Sequence, residues 1–380
     1  MFPKPLMGMT GLATTGPEMI KRQAVSFLTA TEFCLVLDVS SSLQIVLALF
    51  GVVSNLVNIK TFNAMRAAND GVNLAFLCLA VSDLILCCWT LVTAVFTGVF
   101  LSHETKVFSR LGRSTSASSQ IYSGFVSPVD PLFVGMISMN MVQVFNITTI
   151  AITVYLAVAR CLCVLRPLRF RNYISVRKTS VFVTFSLVFS VSSRLPLFAL
   201  TEIVTAFDKR LNYSRPTFSF KPQRIVAKDI TFWAVDVPCS VGSQIIMLVC
   251  IYIMLRGLRA AAKFKFRNAG AKEHRPGHGK DATDTSMRKS NKENRIAKQM
   301  LLVSTIFVVC NAVKLLTYLF TNLVSDFENA ALNLSTYLSS LMLQVAFDTL
   351  NSSFNIFVYY NYNSKFRRTF LGLKESIETR

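Results

Sequence analysis

Histidine, acidic residues and a cysteine framework are what this sequence lacks. Its three histidines, His103, His274 and His278, show no metal-ligand spacing; His274 and His278 are four apart but sit in a Gly/Pro segment instead of a helix. Zinc chemistry is therefore not expected, and with no nucleophile motif in sight neither is an enzyme. Asp and Glu number 20 against 40 Lys and Arg, and charged residues make up only 16% of a chain that is 52% hydrophobic. So small a charged fraction does not coat the two or three soluble domains that 380 residues would otherwise allow. Of the nine cysteines, Cys78, Cys87, Cys88, Cys161, Cys163, Cys250 and Cys310 lie inside apolar stretches and read as small buried hydrophobes. Only Cys34 and Cys239 lie near the face argued below to be outer, and their positions alone do not establish a bridge. No apolar run precedes about Cys34 and no small-residue cleavage site follows Met1-Phe2-Pro3-Lys4, so the first apolar stretch is expected to act as its own insertion signal.

What is present is apolar sequence in span-length blocks. A hydrocarbon core about 30 Å thick needs roughly 20 apolar residues per helix. Such stretches occur at 41–63, 72–100, 132–160, 179–200, 232–256, 297–321 and 335–360. The second is overlong, with an end near Thr97, and the fourth is weakened by Ser192, Ser193, Arg194 and Pro196. The expected fold class is all-α: a seven-transmembrane helix bundle over residues 41–360, with a short amphipathic eighth helix on the inner leaflet. Residues 1–40 form an extracellular tail in this reading, and 361–380 a cytoplasmic one.

The connectors set the orientation, because Lys and Arg concentrate on the cytoplasmic side. Residues 161–178 carry Arg166, Arg169, Arg171, Arg177 and Lys178, the loop 257–296 holds about a dozen basic residues, and the tail adds Lys365, Arg367 and Arg368. The opposite set, the N-terminus, 101–131, 201–231 and 322–334, holds roughly half as many, although 201–231 is itself basic. A net charge of +20 could suggest nucleic acid, but that needs the basic residues on one water-exposed module; here they punctuate apolar spans, so nucleic acid is not expected as a partner. Asn212-Tyr-Ser and Asn333-Leu-Ser place two glycosylation sequons outside; Asn146-Ile-Thr and Asn351-Ser-Ser match the same pattern inside spans and show how readily it arises by chance. Segment 268–293 is polar and nearly free of apolar residues, as a disordered loop is. Lys365-Phe366-Arg367-Arg368-Thr369-Phe370-Leu371 alternates basic and apolar residues at helical spacing, which suits contact with membrane lipid; no cysteine follows Cys310 to carry a palmitoyl anchor.

Polar residues inside hydrocarbon cost several kcal/mol unless paired or hydrated. Their order here resembles the rhodopsin-like G-protein-coupled receptor family over residues 45–371. Gly51 and Asn55 match the first-span Gly-x-x-x-Asn, and Leu79-Ala80-Val81-Ser82-Asp83 the second-span Leu-Ala-x-x-Asp. Ala159-Arg160-Cys161 with Pro167 keeps the Arg and Pro of the third-span Asp-Arg-Tyr pattern, without its acid or Tyr. Phe307, Cys310 and Asn311 resemble Phe-x-x-Cys-Trp-x-Pro with Trp and Pro lost, and Asn355-Ile356-Phe357-Val358-Tyr359 resembles Asn-Pro-x-x-Tyr, followed by Phe366-Arg367. The texture looks most like molluscan chemosensory or peptide-receptor-like branches. Three further departures stand out: no cysteine near Val134-Gly135-Met136 or in 201–231 for the family's outer-loop disulfide, no fourth-span Trp, and Gln244 in place of a fifth-span Pro. The outer loop must be held another way or remain mobile.

The resemblance implies a plasma-membrane receptor with its N-terminus outside, an extracellular ligand and a heterotrimeric G protein as partners, and no cofactor beyond an allosteric Na+. Asp83, Thr149, Asn351, Ser352 and Asn355 occupy the positions that ring sodium in related receptors, and oxygen ligands suit that hard cation; the alternative is a protonated Asp83 in a polar core. Arg160 corresponds to the residue that contacts the G protein, and Glu293 to its long-range resting partner, a pair that would act as a bistable latch; alternatively Glu293 is an exposed acid in a basic loop. Tyr252 and Tyr359 match tyrosines that swing inward on activation, or are helix-packing residues. Lys314, Asp236, Asp348 and Gln143 fall where the family binds ligands; the other reading of Lys314 is an internal Lys–Asp pair. Rival functions are a decoy receptor that binds without signalling, which the lost switch residues favour, and a transporter, which the absence of internal repeats disfavours. A retinal pigment is disfavoured because 335–360 contains no lysine.

Overall fold

The computed structural model describes residues 30–66, 69–100, 102–103, 129–165, 174–208, 213–272, 301–319 and 334–378. Helix α1 runs Ala30–Ala64; α2 runs Gly71–Thr93 and continues as a π-helical stretch, Ala94–Phe100; α3 is Pro131–Leu165 and α4 Val176–Ala199. Two strands follow, β1 (Thr201–Asp208) and β2 (Tyr213–Phe220). Helix α5 has an outer part, Gln223–Thr231, a π-helical turn, Phe232–Asp236, and a long inner part, Val237–Lys272. Helix α6 is described over Leu301–Leu319. Helix α7 is Leu334–Ser353 and resumes as Asn355–Tyr362, and α8 is Ser364–Glu378.

Short polar residues that could have been read from the sequence start the helices. Asp70 caps α2 by accepting the Val72 N–H at 3.4 Å, and Ser175 caps α4 through Lys178 N–H at 3.3 Å. Asp130 accepts from Leu132 N–H at 3.0 Å ahead of α3, with Pro131 at the first helical position where no N–H is needed. Asn363 accepts from Phe366 N–H at 3.1 Å and turns the chain into α8. At the other end of α1, Arg66 sits at φ 53°, a left-handed conformation that ends the helix.

The helices are inside-out by the standard of a water-soluble protein. On α1, Gln44, Asn55, Asn58 and Thr61 are buried while Leu35, Val39, Val46, Val53 and Leu56 are exposed; α4 likewise exposes Val181, Phe185, Val188 and Leu195 and buries Ser186 and Ser190. Apolar side chains facing outward fit a lipid surround, where inter-helix attraction comes from packing and hydrogen bonds. Helices α1 and α7 are joined in this way: Gln44 Nε2 donates to Met342 O at 2.7 Å, Ser353 Oγ to Leu47 O at 3.0 Å, Ser54 Oγ to Ser353 O at 3.2 Å and Asn55 Nδ2 to Ser352 O at 3.1 Å. Gly51 permits the approach, since a Cβ there would fall 2.4 Å from Cys87 Sγ and 2.5 Å from Ser353 Oγ.

The apolar core lies toward the end of the bundle that carries α8, where Phe62, Phe76, Leu79, Leu156, Met247, Met254, Phe307, Tyr359 and Phe366 pack together. Phe366 brings α8 into it: its ring centroid is 5.2 Å from Phe62 and 5.7 Å from Tyr359. The amphipathic eighth helix is thus anchored to the bundle by one fully buried phenylalanine.

Several boundaries differ from the sequence expectation. The first helix starts within the stretch expected to be tail, because Phe33, Cys34 and Leu37 find buried positions. Helix α5 extends outward to Gln223 and inward to Lys272, taking in the first residues of the segment expected to be disordered; residues 273–293 lie outside the described set. Six helices, Glu32–Ala64, Gly71–Phe100, Pro131–Cys163, Val176–Ala199, Gln223–Ala260 and Leu301–Leu319, are long and apolar enough to cross a membrane. Leu334–Ser353 is not among those six, because Gln344, Asp348, Thr349, Asn351 and Ser352 lower its hydropathy; those side chains serve its helix-facing contacts. The connector 201–231 also departs from an unstructured loop: β1 and β2 form an antiparallel hairpin with Thr201 opposite Phe220 and Thr205 opposite Pro216.

Candidate functional site

Mid-bundle, Asp83 on α2 is fully buried. Thr149 Oγ1 on α3 lies 3.0 Å from its Oδ1, and Asn355 Nδ2 on α7 donates to its Oδ2 at 2.9 Å. Thr149 is also 3.0 Å from Ser82 Oγ, and one hydroxyl proton cannot serve both acceptors fully. The Ser352 hydroxyl is buried beside Asp83 without a hydrogen bond of normal geometry. Four of the five residues expected around a cation thus converge; Asn351 is half-buried on the adjoining turn of α7. The oxygens of Asp83, Thr149 and Ser352 are all hard donors, the kind that a hard cation takes.

In a neighbouring layer three of the candidate ligand residues, Lys314, Asp348 and Gln143, meet, in the internal Lys–Asp pairing that is the alternative reading of Lys314. Lys314 on α6 is 2% exposed, and its Nζ donates to Gln143 Oε1 on α3 at 3.2 Å and lies 3.7 Å from Asp348 Oδ2 on α7. Asn146 Nδ2 on α3 donates to the same Asp348 oxygen at 2.7 Å. Asp236, at the π-helical turn of α5, pairs with Arg194 on α4. Each ion pair is inter-helical, and each leaves polar capacity in reserve: Arg194 Nε and Gln344 Oε1 are buried without a hydrogen-bond partner. In the sequence alone Asn146 reads as a chance sequon and Arg194 as a weakness of the fourth span. Applying the rule for intramembrane polar residues to them, as to Asp83, would have found both.

Two departures from the family pattern meet across the α5–α6 interface. Asn311, in place of the Trp, donates through Nδ2 to Gln244 Oε1 at 3.0 Å, and Gln244, in place of the Pro, donates through Nε2 to Val308 O at 3.0 Å. A pair of amides thus couples these helices where the family pattern has an aromatic ring and a helix kink.

Near the C-terminal end of α3, the Nε of Arg160 is buried with no hydrogen-bond partner among the described residues. Glu293 and the sequons at Asn212 and Asn333 lie outside the described residues. Tyr359 is buried at 1% exposure, in edge-on contact with Phe62 and Phe76 at 5.3 and 5.2 Å. Tyr252 is 57% exposed on the outside of α5, with the Arg256 guanidinium 5.3 Å above its ring. One helical turn separates these two residues, so the cation–π contact forms along the outer face. Neither Cys34 nor Cys239 is in a disulfide.

No family model matches the chain, and no curated protein matches it. Among solved structures it is similar to squid rhodopsin: 15% sequence identity, 90% of this chain and 87% of that one covered, TM-score 0.55. At that identity the likeness defines the architecture, an all-α helical membrane bundle of the rhodopsin type.

Proposed function

We propose that this protein is a rhodopsin-like receptor of the plasma membrane, N-terminus outside, which binds an extracellular peptide or small chemosensory molecule and activates a heterotrimeric G protein by helix rearrangement. The observation that carries the reading is the Lys314–Asp348 pair, buried and held by Gln143 and Asn146, which ties together three helices of a rhodopsin-type fold. A buried ion pair gains stability only while both partners remain. A ligand carrying a charged group competes for one partner and releases the other, converting binding energy into a change in how α6 sits against α3 and α7. Asp236 and Arg194 offer a second pair to a ligand of opposite polarity.

Below that layer, Na+ at Asp83, Thr149, Ser352 and Asn355, with Asn351 at its edge, would favour one arrangement of α2, α3 and α7. Arg160 is assigned to G-protein contact, Glu293 to its resting latch and Tyr359 to the inner switch; glycans are assigned to Asn212 and Asn333. Tyr252 is assigned to the same switch, its outward position leaving it an inward swing to make. A second reading, a decoy that binds without signalling, is favoured by the absence of an acid at Ala159 and by the unpartnered Arg160 Nε.

The test is ligand-independent G-protein activation in cells expressing wild type, Glu293→Ala, Arg160→Ala and Lys314→Ala at matched surface levels. The receptor reading expects higher basal activity from Glu293→Ala, an altered level from Lys314→Ala and none from Arg160→Ala. Wild type and all three variants indistinguishable from untransfected cells across all G-protein classes would favour the decoy, and ion flux would then test the transporter alternative.

A further inference from the structure

We propose that Asp130 is the non-covalent tether that positions the outer β1–β2 hairpin on α3, with Arg224 as its second anchor. A two-stranded hairpin is marginal on its own, and this one is poorly buried, with Ile203 70% exposed and Phe207 and Phe220 exposed beside it. Its base is fixed by its neighbours in sequence, through Lys221 N–H donating to Leu200 O at 3.2 Å and a Lys221–Glu202 ion pair at 3.0 Å. Further along the ribbon, the long-range contacts converge on the first turns of α3.

Asp130 divides its polar atoms between two elements. Oδ1 accepts from Leu132 N–H at 3.0 Å and starts α3, Oδ2 accepts from Thr217 Oγ1 on β2 at 2.5 Å, and its own N–H donates to Pro216 O at 3.2 Å. Pro216 has no N–H, so its carbonyl at the strand edge is the group that Asp130 can use. Pro131 restricts the backbone immediately after the carboxylate, so cap and tether share one fixed geometry. Phe133, one turn into α3, packs against Phe218 at 6.4 Å. Arg224 holds the lower part: Nε donates to Thr201 Oγ1 at 3.0 Å, Nη2 reaches Met136 Sδ on α3 at 3.3 Å, and the guanidinium covers the Phe220 ring at 4.0 Å. No cysteine occurs in 129–140 or 201–231, so no disulfide can make this link. A charge-assisted hydrogen bond to a rigid carboxylate is the stronger kind of non-covalent contact, and it makes the outer face indifferent to reducing agents.

The test is hydrogen exchange of the hairpin amides, residues 201–208 and 213–220, in the full chain in lipid nanodiscs, with and without reductant. Wild type is expected to keep its protection under reductant. Asp130→Ala is expected to exchange about tenfold faster or more, the scale of losing a hydrogen bond to a charged acceptor. Thr217→Val moves the same way while leaving the first turn of α3 protected, which separates loss of the tether from loss of the helix cap. Asp130→Cys with Thr217→Cys is expected to cross-link spontaneously and restore protection that reductant then removes. A protease site inserted between Lys209 and Leu211 reports that bond as two fragments that separate on a denaturing gel only after reduction. The proposal is overturned if Thr217→Val exchanges like wild type, if the cysteine pair does not cross-link, or if wild type loses protection under reductant. None of these outcomes bears on G-protein coupling, so the receptor reading is tested separately.

Discussion

Two layers of the bundle hold buried carboxylates by different means. Asp348 faces a cation, Lys314, with Asn146 as a second donor, whereas among the described residues Asp83 is held by neutral donors, Thr149 and Asn355. A carboxylate whose charge is cancelled by a fixed lysine has little use for a metal ion and depends heavily on that lysine. A carboxylate held by hydroxyl and amide groups has no fixed counter-charge, so either a proton or a mobile cation can neutralise it. In the proposed receptor a charged ligand would act on the Lys314 layer and Na+ on the Asp83 layer.

The sharpest way to break this contrast is Lys314→Met, which leaves Asp348 buried without its cation. It is expected to cost about 3–5 kcal/mol, with most of the loss recovered when Asp348→Leu is added; thermal unfolding in detergent of the two single variants and the double variant measures the coupling. Arg194→Met should cost less, about 1.5–3 kcal/mol in the same assay, because Asp236 retains 13% side-chain exposure against 7% for Asp348. Thr149→Val, which removes one hydroxyl from Asp83 at nearly constant volume, is expected to cost about 1–2 kcal/mol. Asp83→Asn should be smallest, within about 1 kcal/mol in choline chloride, since an amide can keep hydrogen bonds to its neighbours. In NaCl, wild type should gain roughly 1.4 kcal/mol at ten times the sodium dissociation constant and Asp83→Asn nothing. If both proteins respond alike to sodium, the Asp83 layer is not an ion site and the contrast fails.

The reach of the sequence differs from element to element. The six apolar helices follow from runs of Leu, Val, Ile and Phe that no other solvent accommodates, and the starts of α2, α3, α4 and α8 from Asp70, Asp130-Pro131, Ser175 and Asn363. Asp83, Thr149 and Asn355 were legible as a group because an intramembrane polar residue needs partners, and the resemblance supplied their order. The exposure of Tyr252 was not legible, because facing direction along α5 depends on the neighbours it packs against and its periodicity is nearly uniform in hydrophobicity. The hairpin was missed for a similar reason. Thr201-Glu-Ile-Val-Thr-Ala-Phe-Asp208 alternates only weakly, and both faces of the ribbon are largely solvent-exposed, so no buried face imposed a pattern.

By itself the sequence determined the medium and the local elements: hydrocarbon-length apolar runs demand a membrane, and caps and prolines mark where helices begin. It also determined which polar residues must find partners. Only the tertiary structure decided which partners they find. Lys314 meets Asp348 and Gln143, Arg194 meets Asp236, and Asp130 meets Thr217. A side chain's need for a counter-charge or a donor is a local property written in its own chemistry. Its choice among candidates far away in the chain is set by how seven helices rotate and pack, a collective result that no single stretch of sequence carries.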